Sequence, residues 1–178
     1  DSGAELTAIV EAKARSGGSI SHTDVSDVAL ETHRARHRAD RVAVIAPAFA
    51  GDTIKAMAVT RSWTLIDAST LGTIAEDVIA LGIGPETSGV LFEADGGLDA
   101  VTAAIRDRRR ALAVLTFVVG QLAEEAAESG DTLTPRDISR DGRRTGIQPS
   151  VDEVLTALRT LHDRAPGAIR LTAENRDP

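Results

Sequence analysis

Residues 41–48 read RVAVIAPA, an unbroken apolar run with none of the in-out alternation of a half-solvated strand. A short run of this kind marks a parallel strand covered on both faces. Upstream, Leu6–Ala14 (LTAIVEAKA) is a second apolar stretch that turns polar at its end and is broken by Ser16-Gly17-Gly18. Between these two strands the spacing predicts a helix from about Thr23 to Arg38, with Val25, Val28, Ala29 and Thr32 inward. Downstream come a helix from about Asp52 to Arg61, a short strand at Trp63–Asp67, and a helix over Ser69–Leu81 with Leu71, Ile74, Val78 and Leu81 inward. The order β-α-β-α-β-α predicts an α/β layer with helices crossing between strands. Asp1-Ser2-Gly3 has turn chemistry, so Leu6–Ala14 is expected to be the second arm of a hairpin whose first arm lies upstream.

Past Gly96-Gly97 the pattern is helical only. Leu98, Val101, Ile105, Leu112, Leu115, Val119 and Leu122 keep a 3-4 spacing, which allows one long helix or two in tandem. Thr134-Pro135 supplies an N-cap followed by an N1 proline, and Ser150 with Glu153 a capping box, so helices are expected near Pro135–Arg143 and Val151–Asp163. A short strand, AIRLTA at Ala168–Ala173, follows Pro166-Gly167. The reading is of two domains, 1–95 α/β and 96–178 helical, with Gly96-Gly97 as hinge.

The chain has 178 residues, 42% hydrophobic and 26% charged, with a mean hydropathy of -0.06. No apolar run approaches the roughly 18 residues that a membrane span needs. Cysteine is absent, which excludes a disulfide framework, thiol catalysis and Cys-ligated metal sites. Aromatic residues are 2%, too few for base stacking to carry nucleic-acid binding. The net charge of -7 argues against DNA only as a sum, because the arginines cluster at 34–41, 106–110 and 136–144. The sequence starts at Asp1 with no Met and no basic, apolar leader, so a fragment of a larger, cytoplasmic protein is expected.

Only Lys13 and Lys55 break the rule that basic residues here are arginines. Lysine is a compact donor with a movable pKa, unlike the broad and permanently charged guanidinium. Glu11-Ala12-Lys13 ends a predicted buried strand, which puts Glu11 and Lys13 on one face. Glu11 and the Ala12 carbonyl offer oxygen donors to a hard divalent cation, while Lys13 could orient a water or stabilise a phosphate; an ordinary ion pair at a strand end is the alternative. Lys55 follows Phe49-Ala50-Gly51 and reads either as a phosphate contact or as a solvated lysine at a helix start. His33 and His37 have i, i+4 spacing but no evident third ligand. Gly82-Ile83-Gly84-Pro85 follows a helix rather than a strand and is no dinucleotide fingerprint.

The run EAKARSGG at Glu11–Gly18 resembles the (D/E)-x-K half of PD-(D/E)xK nucleases, and its S-G-G extension resembles the Fok-type cleavage domain of type IIS restriction endonucleases. The likeness continues through Asp27, through VAVIAPAFAGDTIK at Val42–Lys55, and through Trp63–Glu76, covering about Leu6–Glu93. It implies a restriction-endonuclease-like sheet flanked by helices, and Mg²⁺-dependent hydrolysis of double-stranded DNA. In that reading Glu11 and Lys13 are catalytic, Glu11 and Ala12 hold the metal, and Ser16, Gly17, Gly18 and Lys55 contact DNA. The family's first Asp lies on the preceding strand, so with Asp1 in a turn the partner carboxylate is expected upstream. The family also pairs copies through the helix after S-G-G, which implies a homodimer on DNA with Asp27, Glu31 and Arg34 at the interface; Asp24 would extend the acidic stripe.

The C-terminal helices and their trailing strand resemble a winged helix in order and length. The helix in the recognition position of that motif opens Ser150-Val151-Asp152-Glu153, an acidic start that would repel phosphates. Two functions are therefore expected of the chain: a Mg²⁺-dependent endonuclease of a restriction or phage-defence system, or a catalytically inactive nuclease-like module that binds DNA or protein.

Overall fold

A computed structural model describes residues 6–94, 96–129 and 131–170. The protein is α/β, built on a small parallel sheet of three strands in the order β1-β2-β3: β1 (Ala8–Ala12), β2 (Arg41–Ala46) and β3 (Trp63–Asp67). The helices α1 (Asp27–His37) and α2 (Asp52–Arg61) make the crossovers. Central β2 has Val42, Ala43 and Val44 fully buried, as its continuous apolar run requires of a strand covered on both faces.

Two apolar layers cover the sheet. Val42, Val44, Ala46 and Trp63 face one side, with Ile20, Val25, Leu30, Ile54 and Ala58. Ala43 and Ile66 face the other, with Ile74, Leu91, Val101 and Ile105. The second layer comes from α3 (Ala68–Leu81) and the start of α5 (Gly97–Glu128), and Leu71, Val78 and Leu81 of α3 pack there as expected. Between these helices lie a short helix, α4 (Pro85–Gly89), and a 3-10 turn at Val90–Phe92, which the sequence pattern does not announce. A Cβ on Gly97 would sit 2.2 Å from the Val90 carbonyl, so glycine is required where α5 starts against that turn.

The chain divides into two compact units, residues 1–106 and 107–178. The first turns of α5 belong to the first unit because Val101 and Ile105 complete its core. The second unit is built from the rest of α5 with α6 (Pro135–Gly142) and α7 (Val151–Arg164), packed through Val114, Val118, Ile138, Val154 and Leu158. Gly142 packs so closely on Pro149 that a Cβ there would lie 2.2 Å from the proline ring. Arg110 closes this unit: its guanidinium takes both carboxylate oxygens of Glu153 at 2.6 and 2.9 Å and also donates to the carbonyls of Ile147 and Gln148. Glu153 meanwhile accepts from the backbone of Ser150, completing the capping box.

Several expectations are corrected. The first helix starts at Asp27, not Thr23, because His22–Asp24 forms a 3-10 turn and extended Val25 separates it from the Ser26 N-cap. The later start shifts the phase, so Leu30 is buried whereas Val28 is 71% exposed. Asp24 is off the helix, bonded to the Ser21 backbone and to Arg15. Among residues 168–170 no strand forms; Ala168 and Ile169 instead bond back to the carbonyl of Ala165. Residues 171–173 and the Asp1-Ser2-Gly3 turn lie outside the described residues.

The Arg110 fork, with the Ser150 bond, holds the Glu153 carboxyl down from 4.5 to about 2. A carboxylate with a lowered folded-state pKa gives stability that is fully present above its unfolded value and is lost as pH falls through the folded one. The thermal stability of the second unit should therefore fall as pH is lowered from about 4.5 to 2. Glu153→Gln should flatten that slope and cost about 1 kcal/mol at neutral pH, measured by calorimetry against pH.

Candidate functional site

Successive residues of β1 alternate sides, so Ile9, Glu11 and Lys13 share the face that carries Val42 and Val44. Ile9 packs into that layer, while Glu11 and Lys13 stand where it reaches solvent. Lys13 Nζ lies 2.6 Å from Glu11 Oε1, with side-chain exposures of 37% and 26%. The Lys13 backbone N–H donates to the Ile45 carbonyl at 2.8 Å, so the ladder continues past the last strand residue. That bond turns the polar backbone groups of odd-numbered residues toward β2, and alternation leaves the Ala12 carbonyl facing the other edge. Glu11 and Ala12 thus supply oxygen donors on adjacent residues.

Beyond Lys13 the chain turns through Ser16, Gly17 and Gly18, the last at φ 76°, which glycine adopts without strain. It rejoins the sheet edge at Ile20, whose N–H donates to the Ala48 carbonyl while its own carbonyl accepts from Ala50 N–H. This ties the Ser16–Gly18 turn to the loop leading to Gly51, the N-cap of α2. Lys55 sits one turn into α2, 65% exposed and 4.0 Å from Asp52. Glu11 and Lys13 are thus in contact, and the turn and the α2 loop are joined at the sheet end where β1 and β2 finish.

The C-terminal end of β3 adds a carboxylate not singled out from the sequence. Asp67 pairs with Ala46, whose other neighbour in register is Lys13, so all three stand in one row on one face. Asp67 caps α3: it accepts from the backbone and hydroxyl of Thr70 and from the Ser69 hydroxyl, which lowers its pKa to about 2. Its signal is an Asp closing a predicted strand ahead of a Ser/Thr pair, a capping pattern that keeps it ionised throughout the neutral range.

A groove of about 350 Å³ runs beside β1 and is lined by Ile9, Val10, Glu11, Ala12, Leu30, His33 and His37. The two imidazoles stack at 6.2 Å, so α1 lays both histidines along the groove that contains Glu11. Among the described residues, however, no group of three or more His, Asp or Glu side chains is arranged to hold a metal ion.

Asp27, Glu31 and Arg34 serve contacts within the chain. Asp27 pairs with Arg61 at 2.8 Å, and Glu31 accepts from the buried Trp63 indole at 2.8 Å. Arg34 lies 3.9 Å from Glu31 and donates to the carbonyls of Ala39, Asp40 and Arg61. These side chains join α1 to the end of α2 and the starts of β2 and β3.

No protein-family model, curated protein or solved structure matches this chain. Among the described residues no helix is long and apolar enough to cross a membrane.

Because Arg34 supplies donors to three carbonyls, Arg34→Ala should lower stability by about 1–3 kcal/mol in urea unfolding. Arg34→Lys should recover less than half of the loss, since one ammonium cannot reproduce the spread of the fork.

Proposed function

We propose that the protein is a Mg²⁺-dependent endonuclease that hydrolyses phosphodiester bonds of double-stranded DNA, with Glu11 and Lys13 as its catalytic pair. The observation that carries this reading is the 2.6 Å contact between those side chains where a parallel ladder ends, beside the Ser16–Gly18 turn. It is supported by chemistry: a carboxylate and a backbone carbonyl on adjacent residues are hard oxygen donors, and Mg²⁺ commonly takes one or two protein oxygens, leaving other positions to water and phosphate. The donor set therefore fits, with Glu11 and the Ala12 carbonyl holding the ion. When bound, Mg²⁺ supplies neutralisation of phosphate charge and a more acidic water.

The chain's own residues do the rest. Glu11 fixes the Lys13 ammonium at the sheet end, where it donates to a phosphate oxygen or to the attacking water. The Ser16–Gly18 turn and Lys55 contact the backbone of the same duplex. The restriction-endonuclease-like likeness of the sheet and the winged-helix-like likeness of the C-terminal helices belong to this proposal, as does a role in a restriction or phage-defence system. One Glu-Lys pair cuts one strand, so a double-strand cut calls for two copies on DNA. With Asp27, Glu31 and Arg34 bonded internally, an α1 contact between copies would use the outward Val28, Thr32 and Ala35.

The second reading, a nuclease-like module without activity, is favoured by two observations: Asp67 is committed to capping α3, and the described residues gather no set of three carboxylate or imidazole ligands.

The readings separate on supercoiled plasmid in Mg²⁺. Glu11→Ala and Lys13→Ala should each slow nicking at least about a hundredfold, since several kcal/mol of charge stabilisation are removed. Because the pair is part-exposed, unfolding should change by less than about 1 kcal/mol. Lys13→Arg should also fail, because a guanidinium is too broad for the place of an ammonium. Wild-type nicking rates in all three variants would show the site to be misassigned, and no nicking by the wild-type protein would leave the module reading.

A further inference from the structure

The arginines of α6 and of the turn after it fall on one side of the second unit. At about 100° per residue, Arg136, Arg140, Arg143 and Arg144 lie within roughly 100° of arc. Pro135, Ile138, Ser139 and Gly142 are buried on the opposite side. Arg143 keeps helical angles, φ -65° and ψ -27°, so the stripe continues past the end of α6. From Arg136 to Arg144 it is about 12 Å long, the axial rise of about three phosphates on one DNA strand.

The acids in the segment do not cancel it. Asp137 is tied to Thr134 at the helix start, its pKa lowered by that hydroxyl, and pairs with Arg140 at 3.1 Å; Asp141 lies 3.9 Å from Arg144. Arg140 and Arg144 remain 65% and 80% exposed, and surface pairs of this kind yield readily to a stronger anion. Arg136 and Arg143 are exposed and, among the described residues, have no side-chain partner.

What surrounds the stripe identifies its ligand. Of the exposed large apolar side chains among the described residues, only Val119 belongs to the second unit, and it stands on α5 rather than on α6. A protein partner would therefore lack the apolar anchor on which tight interfaces are centred. Residues 131–170 contain no Phe, Tyr or Trp, so unpaired bases would lack the broad stacking platforms they favour. Four guanidinium forks on one face suit a rigid row of phosphates.

We propose that the Arg136–Arg144 stripe grips the phosphate backbone of duplex DNA as a sequence-independent contact, separate from Glu11 and Lys13. It differs from groove reading by α7, whose acidic start opposes DNA. It also stands whether or not the Glu-Lys pair cuts, because binding is read in EDTA.

The test is fluorescence anisotropy of the full chain on a mixed-sequence duplex of about 20 base pairs, over roughly 50 to 200 mM salt. Arg136→Gln/Arg143→Gln should weaken binding at least about tenfold at the lowest salt. It should also reduce the slope of log K against log salt by about 1.8, two phosphate contacts at about 0.9 each. Arg136→Lys/Arg143→Lys keeps both charges and should keep the wild-type slope, which separates charge from any effect on folding. Arg159→Gln, on the exposed side of α7, should bind within about twofold of wild type. The proposal is overturned if the Gln pair binds as wild type does, if wild type fails to bind at the lowest salt, or if Arg159→Gln causes the larger loss.

Discussion

The hydrogen bond from Lys13 N–H to the Ile45 carbonyl sets the register on which the candidate site depends. It extends a parallel ladder that pairs Glu11 with Val44, so Glu11 and Lys13 lie on the face with Val42 and Val44, where Ile9 anchors β1 in the core. A slip of one residue would drive Glu11 and Lys13 to the opposite face and bring Val10 and Ala12 to theirs. Burial of β2 opposes that slip, since each fully buried Val contributes about 1.5–3 kcal/mol. Ala46, nearly fully buried beside Lys13, has a single methyl, so nothing bulky lies between Lys13 and Asp67 in their row.

The two units use arginine in the same way at their joints. Arg34 binds three carbonyls where α1, α2 and β2 come together, and Arg110 binds two carbonyls and a carboxylate where the loop before α7 meets α5. A planar fork with several donors fixes the ends of elements in a way a lysine ammonium cannot. Against that background Lys13 and Lys55 stand at a sheet end and a helix start near the joined loops, positions that favour a compact charge.

The strands and most helices were legible because their signals are local. The apolar runs of β2 and β3, the Thr134 and Ser150 caps and the 3-4 spacing of α3 each act within a few residues, and each element formed close to where they point. The start of α1 lies later than the spacing predicts because Ser21 and Ser26 are rival caps, and the Asp24 carboxylate closes a 3-10 turn on the first of them. The contact between Glu11 and Lys13 followed from strand alternation alone. The Arg61 partner of Asp27 and the Trp63 partner of Glu31 did not, because those residues reach α1 only by way of β2 and α2. Asp67 joined the row through its pairing with Ala46, a relation no single segment carries.

If Glu11 and Lys13 form a reaction site, their places are not interchangeable; if they form only an ion pair, they are. The Glu11→Lys/Lys13→Glu double variant keeps both charges on the same face and decides between these, read as plasmid nicking in Mg²⁺ beside the unfolding midpoint. The account predicts unfolding within a few degrees of wild type and nicking slowed at least about a hundredfold. Nicking by the swapped protein at the wild-type rate, or no nicking by the wild-type protein, would contradict it.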